Sequence, residues 1–135
     1  MDLYLVELAV ADWPASVVWY RDRLRLTVEL LDHANQFALV AAGPARLALK
    51  GGQPEPGSTK LTFRVTDLDA EMARLERAGV VPVSPVRTSP EGYRAARLVD
   101  PDGHRIELFE WANPDPGSDH QTRYGESLRP PKPRG

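Results

Sequence analysis

Glu107 is the residue most in need of an explanation. It stands in an alternating run, Arg105-Ile106-Glu107-Leu108-Phe109, that places Ile106 and Leu108 on one face of a strand and Arg105, Glu107 and Phe109 on the other. A carboxylate in mid-strand needs a polar surrounding, an ion-pair partner or a metal. Two other stretches carry comparable chemistry. Near the N-terminus, alternation sets Leu5, Glu7 and Ala9 opposite Val6, Leu8 and Val10; in mid-chain it sets Lys60, Thr62 and Arg64 opposite Leu61, Phe63 and Val65. With Arg105, Glu107, Phe109 and Trp111, these form a surface mixing carboxylates, cations and aromatics. Such a set can react, with Glu107 or Glu7 as general base and Lys60 or Arg64 stabilising an oxyanion. It can equally bind a ligand without chemistry. Glu107, Lys60 and Glu7 are the candidates for any catalysis.

The composition narrows the classes. A chain of 135 residues with 41% hydrophobic content fits one domain with a modest core. A net charge of −2 gives no basic field for nucleic acid. The absence of cysteine removes disulfides, thiolate zinc sites and thiol nucleophiles, and fits a reducing compartment. The first residues lack the basic start of a signal peptide, and no apolar run approaches the roughly 18 residues of a membrane span. The expectation is a cytoplasmic protein without a membrane partner.

The elements that must position these side chains come in two similar sets. Residues 3–10 alternate as a strand, and Asp12-Trp13-Pro14 opens a helix with Asp12 as cap. Trp13, Val17, Tyr20 and Leu24 recur at helical spacing. Strands follow at about 27–32, 37–41 and 46–50. After a linker rich in Gly and Pro, residues 60–66 form a strand. Asp67 caps a second helix bearing Leu68, Met72, Leu75 and Ala78 on one face, and Gly79 ends it. Strands are expected at 80–83, 93–99 and 104–111, with a turn at Asp100-Pro101-Asp102-Gly103 and a loop at 84–90. The organisation is therefore a domain over 1–111, with modules at about 3–51 and 59–111, and a Pro-rich polar tail over 112–135. Gly51-Gly52 reads as linker, Ser16 as a helix-surface or capping hydroxyl, and His33, His104 and His120 as solvent-exposed.

The chain resembles the vicinal oxygen chelate superfamily, which includes glyoxalases, extradiol dioxygenases and bleomycin-resistance proteins. The carriers are Val10-Ala11-Asp12, Ser16, Trp19-Tyr20, Val65-Thr66-Asp67, Leu75, Ala78-Gly79 and Asp100-Pro101-Asp102-Gly103 leading into Ile106-Glu107. The resemblance implies an α+β fold of two tandem βαβββ modules forming a curved mixed sheet around a cleft, usually in a homodimer. It departs from the family where Leu24 is followed by Arg25 instead of Gly, so Arg25 would adopt a left-handed conformation costing on the order of 1 kcal/mol.

Metal-using members of that superfamily take one ligand from each of four strands. Counting from the motifs places these positions at Leu5, Ala48, Lys60 and Glu107. Leu and Ala offer no donor atom, and a protonated Lys offers no lone pair. One intact position of four cannot hold a catalytic metal well, so neither metal nor other cofactor is expected. Instead, the Lys60 ammonium is expected beside Glu107, where the cation's charge would have been. The reading is a metal-independent small-molecule-binding protein for an antibiotic-like or aromatic ligand. Its ligand set is Leu5, Glu7, Lys60, Thr62, Arg64, Arg105, Glu107, Phe109 and Trp111. The alternative is a lyase, isomerase or dioxygenase of the same superfamily, metal-free through Glu107 and Lys60 or with an unusual metal set such as Glu7 with Glu107.

Overall fold

A computed structural model describes residues 1–112. The Pro-rich tail and His120 lie outside the described residues. The first module runs β1 (Val6–Val10), α1 (Trp13–Asp22), β2 (Thr27–Asp32), β3 (Phe37–Ala42) and β4 (Ala45–Gly51). The second runs β5 (Lys60–Arg64), α2 (Leu68–Arg77), β6 (Ser84–Thr88), β7 (Tyr93–Val99) and β8 (Arg105–Trp111). Each module closes one four-stranded mixed sheet, in the orders β1-β4-β3-β2 and β5-β8-β7-β6. Among the described residues, the only parallel pairs are β1 with β4 and β5 with β8. A helix has to return the chain to the sheet in that direction, and α1 and α2 lie in the corresponding crossovers.

Capping chemistry fixes both helices. The Asp12 carboxylate accepts from Ala15 N at 3.1 Å, and Asp67 accepts from Ala70 N at the same distance. Helix α2 ends as its sequence requires: Gly79 takes φ 88°, and Val80 N donates to Leu75 O at 2.9 Å. The first module lacks this glycine, and Arg25 adopts φ 59° in its place.

The alternation of the strands is obeyed on the helix side. Leu8, Val10, Ile106 and Leu108 are buried, as are Trp13, Val17, Tyr20, Leu68 and Leu75 from the helices. These residues form a single apolar core that crosses both modules. Val6, the first residue of β1, departs from the pattern and is exposed.

Three expectations are corrected. The first strand begins at Val6, so Leu5 precedes it. Residues 80–83 are not a strand; the third strand of the second module lies at Ser84–Thr88, where a loop was expected. The signal was hidden by Pro85, which sits at the register irregularity between Ser84 and Arg87 on an edge strand, one of the few places a sheet tolerates proline. Ser16 is not on the surface: it is buried under α1, and its Oγ has no hydrogen-bond partner among the described residues.

Candidate functional site

The face of the second sheet opposite its buried residues carries the second-module residues singled out in the sequence. Parallel pairing sets Lys60 against Arg105, Thr62 against Glu107 and Arg64 against Phe109. Antiparallel pairing adds Arg97 opposite Glu107, Ala95 opposite Phe109 and Tyr93 opposite Trp111. Paired residues share a face, so one surface collects all of them.

Glu107 is its centre. Lys60 Nζ donates to Glu107 Oε1 at 3.4 Å, and Arg97 Nε lies 3.8 Å from Oε2. One carboxylate thus faces two cations. The exposures are unequal: 13% for the Glu107 side chain, 43% for Lys60 and 52% for Arg97. The cations can recover solvent if the carboxylate is removed, whereas the carboxylate cannot if it loses both cations. Glu107→Ala should therefore cost only about 0–1 kcal/mol in urea denaturation. Lys60→Met combined with Arg97→Met should cost more than the sum of the two single changes, because only the pair strands a mostly buried charge. Additive single effects would remove the role of either cation as Glu107's partner.

Beyond Glu107 the same face turns aromatic. Tyr93, Phe109 and Trp111 meet edge to face, with centroids 5.6–6.1 Å apart. Arg97 and Tyr93 are absent from the set expected from sequence. Both were accessible to the same alternation, since Tyr93, Ala95 and Arg97 step by two along one strand.

The first module contributes less. Glu7 is exposed and pairs in register with Ala48, which is fully buried, next to Leu39. Leu5 and Glu7 make no ion pair with the Glu107 group among the described residues. The registers also align the counted positions of the two modules. Glu7 with Ala48 and Thr62 with Glu107 are equivalent pairs of the two modules, which makes Ala48 the counterpart of Glu107. Leu5 and Ala48 supply no donor, and Glu107 is engaged by Lys60. This donor set does not fit the divalent cation that metal-using relatives hold.

A groove of about 530 Å³ lies along the free edge of β5. Lys60, Thr62 and Arg64 reach it from one side, and Leu24, Leu26 and the β3–β4 turn at Gly43-Pro44 from the other. Glu7, Arg105, Glu107, Phe109 and Trp111 do not line it.

His104 corrects a further expectation. It is 2% exposed, not solvated, because its Nε2 bonds Ala9 O of the first module at 2.8 Å. It belongs to a buried junction built on the Asp100–Gly103 turn. Asp100 Oδ1 accepts from Asp102 N and His104 N at 2.9 and 2.8 Å, and Tyr20 OH donates to Oδ2 at 2.6 Å. Ala11 N donates to Asp102 Oδ1 at 3.2 Å. Burial, and then the bond to Asp100, push the Tyr20 phenol far above its ordinary value. Asp100, Asp102 and His104 have the residue types of a metal site and lie close together. Asp100, however, already serves three donors, so the cluster acts as a polar staple between modules. His33 is exposed, as expected, against the edge of Trp13.

Two strand-helix-strand modules with parallel outer pairs, and a polar face opposite the helices, define the vicinal oxygen chelate class. The model of the glyoxalase-like domain matches residues 5–109, and the chain belongs to that family. Among solved structures, the antibiotic-binding protein TnmS3 of a Streptomyces species is similar at 27% identity and TM-score 0.71, over 82% of this chain and 96% of that one. A glyoxalase/bleomycin resistance protein/dioxygenase from Nocardioides shares the fold at 21% identity and TM-score 0.69, over 82% and 83%. A lactoylglutathione lyase from Agrobacterium tumefaciens shares it at 19% identity and TM-score 0.68, over 81% and 92%. No curated protein matches. Among the described residues, no helix is long and apolar enough to cross a membrane.

Proposed function

We propose that this glyoxalase-like protein binds an aromatic or antibiotic-like small molecule without a metal. The observation that carries the reading is the Lys60–Glu107 contact at 3.4 Å. An ammonium stands against the one carboxylate of a set whose two first-module positions, Leu5 and Ala48, have no donor atoms. The aromatic group of Tyr93, Phe109 and Trp111 beside it supplies the apolar contact that a ring-bearing ligand needs. The similarity to an antibiotic-binding protein supports the same reading. The proposed contacts are Lys60, Thr62, Arg64, Arg105, Glu107, Phe109 and Trp111, with Leu5 and Glu7 from the first module. The chain's lack of cysteine supports a cytoplasmic setting.

The experiment pairs metal analysis of purified protein with mass spectrometry of candidate ligands before and after incubation. Sub-stoichiometric metal and unaltered, retained ligand are expected. Tight stoichiometric metal would replace this reading with the metal-dependent lyase or dioxygenase. Turnover without metal would replace it with an enzyme using Glu107 and Lys60.

The binding unit is proposed to be a homodimer. Each sheet ends in two edge strands, and Leu30 and Leu31 on the edge strand β2 are 49% and 45% exposed. Open edges with apolar side chains favour a covering partner. Sedimentation at micromolar concentration should give twice the chain mass, and a monomer there would refute the dimer.

A further inference from the structure

We infer that the Glu107 face selects a planar aromatic anion, a fused ring bearing a carboxylate; this rests on the small-molecule reading above and specifies its ligand. The charges of the second module are sorted between the two faces of its sheet. On the helix side, cations and anions balance: Arg94 holds Asp69 through two hydrogen bonds of 2.9 and 3.2 Å, and Glu110 accepts from Leu68 N at the start of α2. The opposite face is unbalanced. The strand registers place Lys60, Arg87, Arg97 and Arg105 there, against Glu107 as its one carboxylate among the described residues. This excess stands in a chain whose net charge is −2, so it is a local feature and not a reflection of composition.

The Glu107 carboxylate does not neutralise its own neighbours. It meets Lys60 and Arg97 at 3.4 and 3.8 Å, one negative charge for two positive ones, and both cations keep about half of their side chains in solvent. An incoming carboxylate would complete the charge balance and could use the guanidinium of Arg97 as a two-pronged donor. An ammonium would meet an excess of like charge.

The geometry also sets the size of the ligand. Along β7, Arg97, Ala95 and Tyr93 lie on this face in succession, opposite Glu107, Phe109 and Trp111. Ala95, the smallest side chain of that row, separates the cation from the aromatic group. Two residues of strand span about 7 Å. A ring system placed over Ala95 and against Tyr93, Phe109 and Trp111 therefore puts a substituent about 7 Å away at Arg97 and Lys60. The three rings already meet edge to face, and a fourth, flat ring extends that packing.

Isothermal titration of the full-length protein with naphthoate, naphthalenemethanol and naphthylmethylammonium tests this, because the three share a ring and differ in charge. Naphthoate should bind about tenfold or more tightly than naphthalenemethanol, with the ammonium weakest, and added salt should weaken only naphthoate. Arg97→Gln should reduce naphthoate affinity several-fold and leave naphthalenemethanol unchanged; Glu107→Gln should increase it. Ala95→Leu should weaken both. Equal affinity for the neutral probe, tighter binding of the ammonium, or indifference to Arg97→Gln would overturn the anionic ligand while leaving small-molecule binding in place. Failure of all three probes to bind would overturn the ligand face itself.

Discussion

Asp100→Ala should destabilise the protein by about 3 kcal/mol or more, the largest effect expected of any single substitution here. The Asp100 carboxylate accepts Asp102 N, His104 N and Tyr20 OH, and it is 4% exposed. Alanine would leave three donors without that acceptor, and the two buried ones, His104 N and Tyr20 OH, would each cost on the order of 1–3 kcal/mol before relaxation. Tyr20→Phe removes one of these bonds and should cost about 1–3 kcal/mol. Because both act on one contact, the double variant should be less damaged than the sum, and urea denaturation of the four proteins measures that coupling. Strict additivity would mean that Tyr20 and Asp100 do not stabilise each other. The junction also carries a pH signature. The Tyr20 phenol is raised above its ordinary value of 10.0 by burial and by Asp100. Its contribution is complete below about pH 10 and is lost as the pH rises further, where the unfolded chain releases the phenol proton and the folded chain retains it. Tyr20→Phe should therefore flatten the alkaline limb of the stability profile.

The second large effect is a gain of function. Leu5→His, Ala48→Glu and Lys60→His together, beside the native Glu107, should create a site for Zn²⁺, Ni²⁺ or Mn²⁺ at these four positions. Ala48 is completely buried, so the new carboxylate should destabilise the metal-free variant. Metal should then restore it: at a hundredfold excess over the dissociation constant, binding contributes about 2.7 kcal/mol. Melting curves with and without metal read this directly. An equal metal-dependent shift in the unsubstituted protein would overturn the metal-independent reading. No shift in the variant would show that the four positions do not converge.

What could be read from the sequence follows the range of the interactions. Both helix caps depend on residues three apart, and Asp12 and Asp67 were legible for that reason. Lys60 and Glu107 are 47 residues apart, yet strand parity and two adjacent strands suffice to bring them together. His104 reads as solvent-exposed in the sequence because its partner is a backbone carbonyl 95 residues away in the other module, and a carbonyl leaves no mark in a sequence. β6 was displaced because proline argues against a strand unless the strand is known to be an edge. The groove beside β5 depends on how the modules meet, which no local pattern encodes.

The shared core has a consequence for how this chain holds itself together. Trp13, Val17 and Tyr20 from the first module and Leu98, Ile106 and Leu108 from the second belong to one apolar cluster. Each helix packs on the sheet of its own repeat, but the buried side chains of both repeats join in that one cluster, so each repeat relies on the other for part of its interior. Cut at the linker, the second half would expose Ile106 and Leu98 and leave Asp100 without Tyr20. The molecule should unfold in a single cooperative transition, with hydrogen exchange in the two sheets slowed to a common limit. Two modules of one pattern are visible in the sequence, but physically they share one interior.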